Sequence, residues 1–170
     1  MGKTFVFVNQ KGGVGKTTSA INIGAYLALE GKRTLLVDFD SQGNMTSGVG
    51  VDRDKPTVYD LLAGTVTPKD VIRDSVIPGL SVIPASIDLS GAAIELVDQE
   101  KREYFLKTAL EVVKDEYDFI LIDCPPSLGI LTLNGLVAAN EVLIPLQCEY
   151  FALEGLTLLL QTVKRVQKTL

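Results

Sequence analysis

Five short stretches of this chain are apolar at almost every position: "TFVFVN" (Thr4–Asn9), "RTLLVDFD" (Arg33–Asp40), "LSVIPA" (Leu80–Ala85), "DFILIDC" (Asp118–Cys124) and "EVLIPL" (Glu141–Leu146). A strand with one wet face alternates apolar and polar side chains. Most of these runs do not, which is the mark of strands buried on both faces of a parallel sheet. Segments of helical period separate them: Lys16–Glu30, closed by Gly31; Tyr59–Ala63 and Pro68–Asp74, both short; Gln99–Glu116; and Leu128–Ala139. A last helix is expected over Ala152–Thr169, with leucines on one side and Lys164, Arg165 and Lys168 near its end. This alternation predicts an α/β, doubly wound, mainly parallel sheet with helices on both faces. No repeat, low-complexity segment or linker interrupts the 170 residues, so residues 1–170 are expected to form a single domain.

In such sheets ligands bind at the C-terminal ends of the strands. There, directly after the first strand and opening the first helix, the chain reads "NQKGGVGKTT" (Asn9–Thr18). Unpaired amides and the helix dipole favour an anion at this place. Gly12, Gly13 and Gly15 let the backbone curl around phosphate oxygens without a Cβ in the way, with Val14 between them. Lys16 is placed to reach β- and γ-phosphates, the Thr17 hydroxyl to ligate Mg²⁺, and Thr18 to extend the cradle. This is a nucleotide-binding P-loop. The usual pattern, GxxxxGK[ST], has its first glycine where this chain has Gln10, and the chain offers "KGGVGKT" with an extra lysine, Lys11.

Carboxylates end two further strands. Asp38 and Asp40 are two apart, so in extended chain both project to one side. Beside a phosphate site they would repel the nucleotide unless one serves a metal and the other a proton or water. Asp123 follows four apolar residues, the Walker B arrangement, and would hold Mg²⁺ through a bound water. Pro125 and Pro126 then force a non-helical segment. There is no histidine, which removes histidine triads, histidine metal sites and imidazole shuttles. The two cysteines, Cys124 and Cys148, each close an apolar run as buried thiols do, and fit a reducing compartment. A net charge of −5 carries no global nucleic-acid signature, and no apolar run approaches the ~20 residues of a membrane span. The expected location is cytoplasmic.

The lysine-bearing loop is the deviant Walker A motif and resembles the ParA/MinD family. With "GKRTLLVDFDSQGNMTSGVG", "IDCPPSLGILTLNGL" and "IPLQCEYFALEGL" the likeness narrows to the ParA/Soj family and runs through nearly the whole chain. The resemblance implies a fold of the P-loop NTPase type, like the nitrogenase iron protein, with sheet order 3-2-4-1-5-6-7 in the family's count. It implies an ATPase using ATP and Mg²⁺ and yielding ADP, and a homodimer with nucleotide sandwiched at its interface. It also implies a ParB-like stimulatory partner, non-specific DNA binding with nucleoid association, and chromosome or plasmid partitioning without a membrane. Residue by residue, Asp38 lies near Mg²⁺ in switch I, and Asp40 positions or activates the attacking water. Pro125 and Pro126 stand in switch II. Lys11 crosses the dimer interface to the partner's nucleotide, as an arginine finger does. Ser41 stands where the family usually has proline.

Family members continue for roughly another third, which supplies adenine contacts and much of the DNA surface. The fifth run is thereby expected to be an edge strand here. Two alternatives share the P-loop. A MinD-like membrane-cycling ATPase of division-site placement carries a C-terminal amphipathic helix, and an ATP-dependent synthetase would need a second-substrate pocket. Asn9–Gln10 and "DFDSQGN" look more like ParA.

Overall fold

The computed structural model describes residues 2–96, 98–149 and 152–169. Six strands form one sheet: β1 (Lys3–Phe7), β2 (Thr34–Asp38), β3 (Arg73–Asp74), β4 (Leu80–Ile83), β5 (Phe119–Asp123) and β6 (Glu141–Leu143). Their order is β3-β4-β2-β5-β1-β6, parallel throughout except for the antiparallel β3–β4 pair. The five expected strands take the expected order, with β6 at one edge and β3 added at the other. Register aligns the C-terminal ends: Phe7 and Asp38 both lie opposite Asp123.

Period-2 alternation explains why these strands are apolar on both sides. Val6, Leu35, Val37, Ile120 and Ile122 point into one core, while Phe7, Leu36 and Leu121 point into the other. The second core is covered by α1 (Lys16–Leu29) and α2 (Asn44–Gly48). The first is covered by α3 (Val58–Leu62), α4 (Pro68–Val71), α5 (Leu89–Glu95), α6 (Phe105–Glu111), α7 (Ile130–Ala138) and α8 (Ala152–Thr169). Both α3 and α4 start with capping boxes, Thr57 with Asp60 and Thr67 with Asp70. Among the described residues, no helix is long and apolar enough to cross a membrane.

Three local expectations change. The helix expected over Pro68–Asp74 stops at Val71, because Ile72 turns to extended backbone and Arg73 joins the sheet as β3. The Arg73 guanidinium donates to the carbonyls of Asp52, Asp54 and Pro56, tying down the loop before α3. The long helix expected over Gln99–Glu116 is instead α6 flanked by two 3₁₀ turns, Arg102–Tyr104 and Lys114–Glu116. Helices α2 and α5 were not expected: "NMTSG" carries weak local helix preference, and "LSGAAIE", though rich in helix formers, is short and interrupted by Ser90 and Gly91. Burial of Met45, Thr46, Leu89 and Ala92 holds them.

Helix α7 approaches the sheet closely at Gly135, where an added Cβ would lie 2.5 Å from Cys124 Sγ and 3.0 Å from Val6 Cγ2. Gly135→Ala should therefore cost about 1–2 kcal/mol, overpacking outweighing the gain in helix preference. A lower urea midpoint at unchanged slope, partly restored by Cys124→Ala, is the expected result. An unchanged midpoint would show that the core gives way freely there.

Candidate functional site

The loop between β1 and α1 is built by local chemistry. Asn9 Oδ1 accepts the Lys11 N–H (3.0 Å) and its Nδ2 donates to the Pro145 carbonyl (2.8 Å), which pins the loop to the segment after β6. An asparagine two residues beyond a strand and just before a turn is the sequence signal that marks this pin. Gly13 and Gly15 have φ of 72° and 89°, a region side chains avoid, and Gly15 is the N-cap of α1. Gly12 has open space around it and no such φ, so this backbone does not demand glycine there. Among the described residues, the amides of Gly13, Gly15, Lys16 and Thr17 find no hydrogen-bond acceptor. Four bare N–H groups at a helix N-terminus make a cradle for an anion.

Lys16 is buried, and its Nζ donates to the Lys11 carbonyl at 3.2 Å, leaving two further protons. Burial lowers its pKa, opposed chiefly by the charges of Asp123 and Asp40. Thr17 donates its hydroxyl to Asp123 Oδ2 at 2.5 Å. The other oxygen, Asp123 Oδ1, is buried with no hydrogen-bond partner. Burial, helped by Asp38 and Asp40 and opposed by the Thr17 hydrogen bond and Lys16, raises this carboxyl to about 7. An orphaned oxygen on a carboxyl poised near neutrality is satisfied by a divalent cation or by water bound to one. Among the described residues, no trio of Cys, Asp or Glu side chains converges into an all-protein metal cage. A cation here would take its remaining ligands from phosphate and water, the usual habit of Mg²⁺.

Asp38 and Asp40 do not share one environment. Strand β2 ends at Asp38, although Phe39 still points into the same core as Leu35 and Val37 and donates its N–H to the Asp123 carbonyl (2.9 Å). Asp38 is fully buried and accepts from Thr46 N–H (2.8 Å), Thr46 Oγ (2.6 Å) and Asp40 N–H (3.3 Å). Burial raises its pKa against these donors. Asp40 stands half-buried in the following turn, accepting the Gln42 N–H at 3.0 Å through Oδ1.

A cavity of about 380 Å³ joins Gly12, Gly13, Gly15, Lys16, Thr17, Thr18 and Asp40, and adds Gln42, Asn44 and Pro126, of which only Pro126 had been singled out. Val14 is half-buried outside that lining. Lys11 also stays outside it: its ammonium pairs with Glu149, while Gln147 donates to the Gly13 carbonyl (3.4 Å). A larger cavity of about 590 Å³ lies between α3–α4 and α5–α6. Its lining, mostly Leu, Ala, Val and Phe, offers no cradle for an anion, so the smaller cavity is the candidate site. Cys124 is fully buried, and burial pushes its thiol well up. Cys148 is exposed, against expectation, because β6 ends at Leu143 and the chain beyond it leaves the sheet.

A family model described as an AAA domain matches residues 2–170. The chain is 75% identical over 170 residues to the "Chromosome-partitioning ATPase Soj" of Treponema pallidum, covering 100% of this chain and 67% of that protein. It is 56% identical over 172 residues to the "Sporulation initiation inhibitor protein Soj" of Bacillus subtilis, covering 100% and 68%. The chain thus spans about two thirds of the length of these relatives. Among solved structures, a cobyrinic acid a,c-diamide synthase of Mycobacterium smegmatis with bound ATP analogue and magnesium superposes with a TM-score of 0.95 at 45% identity, over 99% of this chain and 70% of that one. With three-quarters identity along every residue and a lysine-rich P-loop placed at the end of β1, the chain belongs to the Soj/ParA family of chromosome-partitioning ATPases.

Proposed function

We propose that residues 1–170 form one nucleotide-binding unit that holds Mg-ATP in the 380 Å³ cavity and hydrolyses it to ADP and phosphate, coupled to dimerisation and DNA partitioning. One observation carries the reading most: four unpaired P-loop amides and the buried Lys16 face one cavity, with the open oxygen of Asp123 beside Thr17. Phosphoryl transfer needs positioning and charge neutralisation more than covalent chemistry. The loop from Lys11 through Gly12, Gly13, Val14 and Gly15 to Lys16, Thr17 and Thr18 holds the phosphates. Thr17, Asp38 and Asp123 hold Mg²⁺, which neutralises developing charge when bound. Asp40 orients the attacking water. Partners of the whole protein are a second copy, a ParB-like activator and non-specific DNA, and the family setting is the cytoplasm and nucleoid.

A synthase reading finds less support, since identity is 75% with a partitioning ATPase against 45% with the synthase, and no cavity among the described residues offers a second-substrate motif beside the P-loop. Calorimetry with ATP in Mg²⁺ and in EDTA, followed by a phosphate-release assay, tests the reading. Mg²⁺-dependent binding with slow turnover is expected; absence of ATP binding in Mg²⁺ would end it.

Lys11 is held in cis by Glu149 in the single chain, so a role at a partner's nucleotide requires that exposed pair to open. Exposed pairs are weak, about 0–1 kcal/mol, and phosphate outcompetes a lone carboxylate. In the full-length protein, Lys11→Ala should bind ATP but barely turn over. Mixed with Asp40→Ala subunits, it should regain hydrolysis, because each heterodimer has one site with both Lys11 and Asp40 intact. Heterodimers that form yet stay inactive would refute action in trans.

A further inference from the structure

The buried hydroxyl of Thr46, in α2, has no part in the reading above, yet it is fully buried against the site. It donates to Asp38 Oδ2 (2.6 Å) and accepts the Ala85 N–H from the end of β4 (3.0 Å). An amide can only donate, so the single hydroxyl proton must point at the carboxylate. The Thr46 N–H reaches the same oxygen at 2.8 Å. Oδ2 is thereby saturated, while Oδ1 carries only the longer bond from Asp40 N–H, 3.3 Å. The carboxylate cannot rotate without stranding buried donors, and Oδ1 is the oxygen left with lone pairs to offer. Beyond Ala85, Ser86 lies 3.4 Å from the Thr57 hydroxyl at the cap of α3, so the clamp is built from two strand ends and two helix starts.

We propose that Thr46 is the positioning residue of the site: it clamps Asp38 so that one oxygen faces a divalent cation, and ties that carboxylate to the end of β4. The proposal rests on the Mg-nucleotide reading of the cavity. It asks for a hydroxyl at residue 46 and not merely for volume. Valine keeps the shape but leaves the Ala85 N–H and Asp38 Oδ2 each short of a partner, whereas serine keeps both bonds.

The test is Mn²⁺ binding with ATP, followed by electron paramagnetic resonance, alongside ATP affinity in EDTA. Loss of a group that orients a metal ligand typically weakens metal binding 10–100-fold, so Thr46→Val should raise the Mn²⁺ dissociation constant about 10-fold or more, with Thr46→Ser close to wild type. ATP affinity in EDTA should not change, because Thr46 does not line the cavity. Should the valine variant not fold, the wild-type protein serves. Amide exchange at Thr46 and Ala85 should slow when Mg²⁺ is added to the ATP-bound protein. Wild-type Mn²⁺ affinity in Thr46→Val, or exchange at both amides indifferent to Mg²⁺, overturns the proposal. Wild-type protein that binds ATP but no Mn²⁺ overturns the metal reading itself, and this inference with it.

Discussion

Lys16→Ala should lose ATP by at least ~100-fold while the protein stays folded. The substitution keeps the residue-16 amide in the cradle and removes only the ammonium. That ammonium is buried and has one acceptor, the Lys11 carbonyl at 3.2 Å, so two of its protons are free for a ligand. Charge-assisted hydrogen bonds contribute roughly 1.5–3 kcal/mol each, and two of them amount to about 10²–10⁴ in affinity. Folding should tolerate the change, because burial already works against the charged lysine. Calorimetry beside a thermal melt separates the two. Affinity within a few-fold of wild type in a folded variant would mean that Lys16 does not contact phosphate.

Asp40→Ala should behave in the opposite way, losing about 10²–10⁴ in turnover with ATP affinity kept or improved. Turnover falls because no other described carboxylate lines the cavity: Asp38 is engaged by Thr46, and Asp123 lies against Thr17. Affinity holds because the phosphate cradle is untouched and one negative charge beside the phosphates is gone. Asp40 also caps a turn through the Gln42 N–H, so a structural role must be told apart. Asp40→Asn keeps that turn acceptor but loses the charge. An active asparagine variant would reduce Asp40 to a turn residue, and an equal loss of affinity and turnover in Asp40→Ala would make it a binding residue.

Much of this architecture is written locally. A run such as Phe119–Asp123 has nowhere to sit but inside a two-sided sheet, and two of the loop glycines occupy φ values open to little else. The order of the five main strands was implied by the family resemblance, whereas the strands themselves, the phosphate loop at the end of β1 and the carboxylates at the ends of β2 and β5 were legible for that reason. Each depends on side-chain alternation, backbone freedom or a motif only a few residues long.

Direct pairs across long stretches of sequence were not legible. Motifs placed Thr17 and Asp123 at one metal, but not the hydrogen bond between them across 106 positions, nor the pairing of Lys11 with Glu149 across 138, which follow from the sheet setting β1 between β5 and β6. Asp38 and Asp40 were read as a pair, and tertiary structure gave the two different burial, enclosing Asp38 against Thr46 and leaving Asp40 half-exposed in the turn. Helix α2 shows the same division. By itself "NMTSG" is a poor helix, but in place Met45 fills one core while Thr46 satisfies Asp38 and Ala85. Local sequence determined the strands, the phosphate loop and the residues available for chemistry. Tertiary packing decided which oxygen is saturated, which is left open and which lysine is held aside, since burial and pairing exist only once distant segments have met.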